Sequence, residues 1–170
     1  DDKAIAYLEQ AVQVDTDDPQ VHLKLAQQYA HRGSQTKGLE LLEDFLARHP
    51  NEPDALYALA QYQSGQGDIG NALKTLNRIE VAKRSPDVAL LQQHLTIKNL
   101  EQDAKSSMQS GEKKAAINML SKAEALGSGN EELTLGVAVA WAEIGEVKRG
   151  RALFEKVKVS HTSPSASWHL

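Results

Sequence analysis

The sequence predicts an all-α solenoid, and three features of its 170 residues carry that reading. Small residues recur 34 positions apart at Ala4, Gly38 and Ala72, and again at Ala116 and Gly150. One turn later each is followed by a large apolar residue: Leu8, Leu42, Leu76, Leu120 or Phe154. Ala11, Phe45, Ile79, Ala123 and Val157 follow those. Glycines fall in the same register at Gly33, Gly67, Gly111 and Gly145, with Leu25-Ala26, Leu59-Ala60 and Val137-Ala138 ahead of the turns. Pro19, Pro53, Pro86 and Pro164 stand where a first helix should begin, where proline's missing N–H is harmless, with Asp18, Ser85 and Ser163 as caps. Pro50 closes a second helix, and no stretch sustains strand-like alternation.

The order of a large residue, Leu-small, an aromatic, a glycine turn, a small residue and a large one is the tetratricopeptide pattern. Its clearest copy runs from His22 through Leu25-Ala26 and Tyr29 to Gly33, Gly38, Leu42 and Pro50. The two helices of each unit cross closely enough that only a small side chain fits between them. Neither buries its apolar stripe alone, so stacked neighbours stabilise one another. The expected architecture is a right-handed superhelix of antiparallel helix pairs. Second helices are expected at 3–14, 35–48, 69–82, 112–125 and 147–159. First helices are expected at 19–32, 53–65 and 130–144, with a long helical stretch over 86–110. The array divides into a half repeat 1–18, repeats 19–52 and 53–85, an extended repeat 86–129, a repeat 130–163 and the start of another at 164–170. There Trp168 takes the large-residue position held by Thr134. The chain thus reads as one array, a fragment of a longer one.

The spacing from Gly67 to Gly111 exceeds the period by ten residues, about 15 Å of helix. Nothing between Pro86 and Gly111 stops a helix, yet the apolar phase changes. Val88, Leu91 and Leu95 form one stripe; Ile97, Leu100, Ala104 and Met108 form another. Either one long helix presents two faces or two helices meet at Thr96-Ile97.

Composition excludes several classes. With 41% apolar and 25% charged residues the chain is globular, and a net charge of −4 without basic clusters gives no nucleic-acid signal. Cysteine is absent, which removes disulfides and thiolate metal sites. No apolar run is long enough to span a membrane. Gly65-Gln66-Gly67-Asp68-Ile69-Gly70 matches G-x-G-x-x-G but follows a helical pattern, and a dinucleotide site needs a strand there. Of six histidines (22, 31, 49, 94, 161, 169), none pairs at i,i+4, and solvated or half-buried rings are expected. Asp17-Asp18 and Glu131-Glu132 favour helix starts electrostatically. No nucleophile triad has a local signature. The reading is a non-enzyme with no metal and no cofactor. A hydrolase would need a carboxylate pair converging in a cleft.

What remains is the concave face lined by first-helix residues. The register places Gln20, Leu23, Gln27 and His31 there from one repeat, and Asp54, Tyr57, Gln61 and Ser64 from the next. Lys98, Glu101 and Lys105 come from the extended one. Where some tetratricopeptide domains hold a peptide carboxylate with Lys, Asn and Arg, this chain has Leu, Gln, Tyr and Glu, so a carboxylate clamp is not expected. Gln and Tyr suit neutral polar ligands, sugars included.

Several segments are similar to the cellulose synthase operon protein C family of bacterial cellulose exporters. They are Val21–Tyr29, Pro53–Ala60, Leu76–Ile79 with Ser85-Pro86 and Leu90–Gln93, Ser110–Ala116, Asn130–Ala138 and Gly145–Leu153. The resemblance covers nearly the whole chain, ten-residue excess included. It implies a periplasmic repeat array ahead of an outer-membrane β-barrel, contacts with protein partners of the cellulose synthase complex, and a route by which a β-glucan chain is guided outward. It supplies no catalytic motif. The alternative is an adaptor for another exopolysaccharide exporter or a general protein-binding module.

Overall fold

A computed structural model describes residues 2–14 and 17–162, with side chains placed for 3–14 and 17–157. Among the described residues there are nine α-helices and no strand: α1 (Asp2–Val14), α2 (Pro19–His31), α3 (Gln35–Arg48), α4 (Pro53–Gly65), α5 (Ile69–Asn77), α6 (Pro86–Gln109), α7 (Lys113–Gly127), α8 (Glu131–Glu143) and α9 (Val147–Thr162). A 3-10 turn, Val81–Lys83, precedes α6. The fold is a tetratricopeptide-repeat solenoid. The expected helix that begins at Pro164, with its cap Ser163 and with Trp168, lies outside the described residues.

Local signals set the helix ends. The Asp18 carboxylate accepts from the Gln20 (2.7 Å) and Val21 (3.4 Å) amides ahead of Pro19, and the Ser85 hydroxyl accepts from Val88 N. The four register glycines take φ between 79° and 87°, a region only glycine enters without cost. In each turn the following amide reaches back to a helix carbonyl: Ser34 to Tyr29, Asp68 to Gln63, Glu112 to Ser107 and Glu146 to Trp141. Those bonds satisfy carbonyls the helix leaves unpaired.

Contacts divide the chain into two compact units, residues 1–95 and 96–170. In the first, α1 to α5 pack in sequence, and α2 also meets α4. Its core holds Leu42, Phe45, Leu56, Ala72, Leu76 and Leu95. In the second, α8 packs against α7 and α9 around Trp141, Ala116, Leu120 and Val137. The crossing residues Ala72 and Ala116 have no exposed surface. At Gly38 a Cβ would strike the Tyr62 hydroxyl and Ala26 O, and at Gly150 it would strike Ala138 O. These are the close approaches that impose a small residue.

The stretch with the phase change is a single helix. Within α6, Val88, Leu91 and Leu95 join the first core, whereas Ile97, Leu100, Ala104 and Met108 join the second. The expectation over 69–82 needs correction. α5 stops at Asn77, although Ile79 continues the apolar period and stays buried. Side chains secure this turn. Arg84 donates to Ile79 O (3.0 Å) and Gln92 Oε1 (2.8 Å), and Gln92 donates to Asn77 Oδ1 (2.7 Å).

One device recurs in both units. The Tyr29 hydroxyl donates to Glu9 (2.6 Å) while Lys37 lies 4.0 Å over its ring. At the matching place the Trp141 indole donates to Glu124 (3.1 Å) under Arg149, 3.9 Å from the ring centre. An aromatic on the first helix, a cation on the second and a carboxylate on the preceding helix thus tie three helices together.

Candidate functional site

α2 and α4 are first helices of successive repeats, and a groove of about 450 Å³ is lined by Gln27, Ala30, His31, Gly65 and Gln66. Gln27 and His31 are exposed, so amide and imidazole groups border it. Tyr57 and Gln61, on α4, are half-buried and do not line it. Burial raises the Tyr57 phenol above its ordinary pKa, and the Asp87 carboxylate adds to this. The Gln61 side-chain oxygen is buried without a hydrogen-bond partner among the described residues. An unpaired buried carbonyl costs about 1–3 kcal/mol, so an incoming O–H or N–H donor is favoured there. Gln20 and Asp54 are exposed and lie outside the groove lining.

A second groove, about 390 Å³, lies within the other unit between α6 and α8. Glu101, Lys105, Gly136, Val139 and Glu143 line it. Here the character is ionic. Lys105 pairs with Glu143 at 3.5 Å. Burial raises the Glu101 carboxyl above the usual glutamate range; exposed Lys98 opposes the shift and Glu143 adds to it. Glu143 is engaged by a cation, so the two carboxylates do not form an equivalent acid–base pair. Two pairs of the expected face residues share a groove, each within its own unit. Gln27 and His31 share one groove, Glu101 and Lys105 another.

A third cavity, about 540 Å³, opens between α7, α8 and α9, where Ser121, Glu124, Thr134, Arg149, Leu153 and Val157 contribute to its walls. The face-based reading missed it. The signal was a threonine at a position where other repeats carry a larger residue.

The glycine-rich segment resolves as a helix stop, a turn and a helix start. Gly65 ends α4, Gly67 has φ 81°, and the Asp68 carboxylate accepts from Asn71 N (3.2 Å) at the head of α5. The helix end that would face a phosphate is capped by the chain's own carboxylate. The histidine expectation fails at position 22: His22 is fully buried, its Nδ1–H donates to Asp18 O at 2.8 Å, and its ring lies 4.3 Å from Phe45. It fills the large-residue position as a packing group. His49 lies beyond Phe45 at 4.6 Å and meets Asp17 and Glu52.

Comparison with known proteins agrees with this geometry. A tetratricopeptide repeat family model matches residues 19–62. Cellulose synthase operon protein C of Pseudomonas fluorescens (strain SBW25) is 26% identical over 98% of this chain. The protein of the same name from Xanthomonas axonopodis pv. citri (strain 306) is 28% identical over 86% of it. The chain resembles cellulose synthase operon protein C. It spans 13% and 10% of the length of those two relatives. A crystal structure of a Podosopora anserina putative kinesin light chain with nearly identical TPR-like repeats superposes with a TM-score of 0.55. That match has 18% identity and covers 98% of this chain and 89% of that one, a likeness of fold alone. Repeats of this kind are protein-interaction modules, and no described helix is long and apolar enough to cross a membrane.

Proposed function

We propose that this segment is a non-catalytic, periplasmic part of a bacterial cellulose export protein and serves there as a platform for protein partners of the synthase complex. The carrying observation is the similarity to cellulose synthase operon protein C across 98% of the chain, extended repeat included. The lining of the grooves is consistent with it: amides and an imidazole in one, paired charges in the other, both open surfaces suited to a polypeptide. The export role, the compartment and the partners are inferences from the relatives' name. An adaptor for another exopolysaccharide exporter would use the same surfaces.

Guidance of a β-glucan is the second reading. It is favoured by one feature, the unpartnered Gln61 oxygen, one helical turn after Tyr57 on α4. A neutral polymer gains little from charge steering, so its binding would depend weakly on salt. A conduit must also release its cargo, so affinity for short oligosaccharides would be about millimolar, near −4 kcal/mol. Amide NMR with cellohexaose separates the readings. Shifts confined to residues 20–31 and 54–64, abolished by Tyr57→Ala, support glucan contact. No shift at saturating sugar, with cellulose export unharmed by Tyr57→Ala in the full-length protein, supports the platform. Loss of export in Tyr57→Ala without sugar binding would point to a protein partner at that face.

A further inference from the structure

The first-helix position that precedes each turn glycine by the same interval is Leu23 before Gly33, Tyr57 before Gly67, Glu101 before Gly111 and Leu135 before Gly145. Leu23 is buried and the other three are half-buried. Leucine and tyrosine suit a half-covered place between helices; a carboxylate does not. Glu101 stands in the wall of the groove between α6 and α8. Burial, then the Glu143 charge, raise its carboxyl against the opposing pull of Lys98, so the ionised form is held there at a cost. Among the described residues nothing offsets that cost: no hydrogen bond or close ion pair engages the Glu101 carboxylate. Lys105, the cation of the groove wall, is committed to Glu143 at 3.5 Å. Lys98, one turn before Glu101 on α6, is exposed and outside the lining. On α8 the facing residue is Gly136, where a Cβ would stand 3.5 Å from Glu101 Oε1. That oxygen therefore faces bare backbone. A half-buried, unpaired carboxylate with a raised pKa, set in a groove, marks a place kept for binding rather than for folding.

We propose that this groove takes an arginine side chain of a partner polypeptide, its guanidinium between Glu101 and Glu143 and its stem on Val139. Charge selects the class. The lining has two carboxylates, Glu101 and Glu143, against one cation, Lys105, and the two carboxylates repel each other. A cation relieves both that repulsion and the burial of an unpaired charge. A neutral sugar hydroxyl donates to the carboxylate but leaves the charge uncompensated. A guanidinium fork reaches two carboxylates at once, which a compact ammonium matches less well. Its methylenes cover Val139, 59% exposed in the groove wall. A hard metal ion wants about six oxygen ligands, and no group of three or more acidic or histidine side chains converges among the described residues. The cation site stands on the groove alone; its assignment to a polypeptide rests on the platform reading.

The test uses the whole chain labelled with ¹⁵N, at low ionic strength, and three probes: N-acetyl-L-argininamide, its neutral isostere N-acetyl-L-citrullinamide, and cellobiose. The arginine probe should shift the amides of residues 101–105 and 136–143; the other two should not. Glu101→Gln keeps the shape, removes the charge and should weaken the response by about tenfold. Lys98→Gln removes the competing cation and should strengthen it by about twofold. No shift with the arginine probe, an equal shift with the citrulline probe, or an unchanged response in Glu101→Gln overturns the proposal. A cellobiose response at these amides, lost in Glu101→Gln, also overturns it, because the groove would then be a sugar site. Cellulose export by the full-length protein separates the site from the reading it rests on. Arginine-probe binding lost in Glu101→Gln, with export reduced by the same change, supports the partner. The same loss of binding with export unharmed overturns the platform reading, and the polypeptide partner with it, while the cation site stands.

Discussion

In residues 1–95 the large-residue position of the first helix holds His22 and Leu56, both buried, and the groove between first helices is bordered by amides and an imidazole. In the second unit the corresponding position holds Leu100 and Thr134, both half-buried, and the groove is bordered by Glu101, Lys105 and Glu143. Yet the crossing residues, the turn glycines and the aromatic–cation–carboxylate device match between units. Positions where backbones nearly touch are held to one size by sterics. Positions that only fill space between helix ends, or face solvent, are free to diverge, and function has room to act there.

The largest expected effect breaks the comparison at its packing end. His22→Ala removes a ring stacked on Phe45 and should cost about 3 kcal/mol, in line with other large-to-small core changes. Thr134→Ala at the same register should cost less than about 1 kcal/mol, since it removes one hydrogen bond and little packing. Urea titration of the two variants checks this. Equal losses would mean that Thr134 carries as much packing as His22, and the contrast between the two units at this position would fall.

A glycine pair within one unit comes next. Gly150→Ala drives a Cβ against Ala138 O, with Ala142 N at 3.2 Å, so helices α8 and α9 must part. Overpacking of this kind costs about 1–3 kcal/mol. Gly136→Ala, in the middle of α8, meets only Glu101 Oε1 at an ordinary 3.5 Å and should stabilise by roughly 0.5–1 kcal/mol through helix propensity. Opposite signs in thermal melts are expected. A stabilising Gly150→Ala would show that the crossing tolerates more separation than the geometry implies.

This contrast explains what was legible in the sequence. Gly150, Ala72 and Gly67 are fixed by close approach or positive φ, and such constraints leave single residues at fixed intervals. The helix order and turns could therefore be read directly. Asn77 could not be read as a helix end, because it depends on Arg84 and Gln92 reaching back from later in the chain. The face residues were placed on the right helices, but which of them share a groove depends on packing between helices 34 or more residues apart. His22 shows the reverse error: its polarity suggested water, while its register position required burial.

The smallest expected effect sharpens the comparison between the two grooves by pH. Burial raises the Glu101 carboxyl, so the folded protein holds that proton more tightly than the unfolded chain. Between the ordinary glutamate range and the raised folded value the native state binds more protons, and stability falls as pH rises through that window. Above it the ionised carboxylate weighs against folding; below the ordinary range the penalty is gone. Glu101→Gln is neutral throughout and should stabilise the protein at neutral pH by about 0.5 kcal/mol, the scale of a partly exposed substitution. That gain should vanish on acidification below the glutamate range. Its mirror in the other unit is Gln61→Glu, which places a carboxylate where a buried amide oxygen already lacks a donor. That change should lower stability at neutral pH and become harmless in acid. Thermal melts across pH read both curves. A Glu101→Gln gain that persists in acid would assign the effect to side-chain packing against α8, and the two grooves would then differ in charge without differing in its energetic cost.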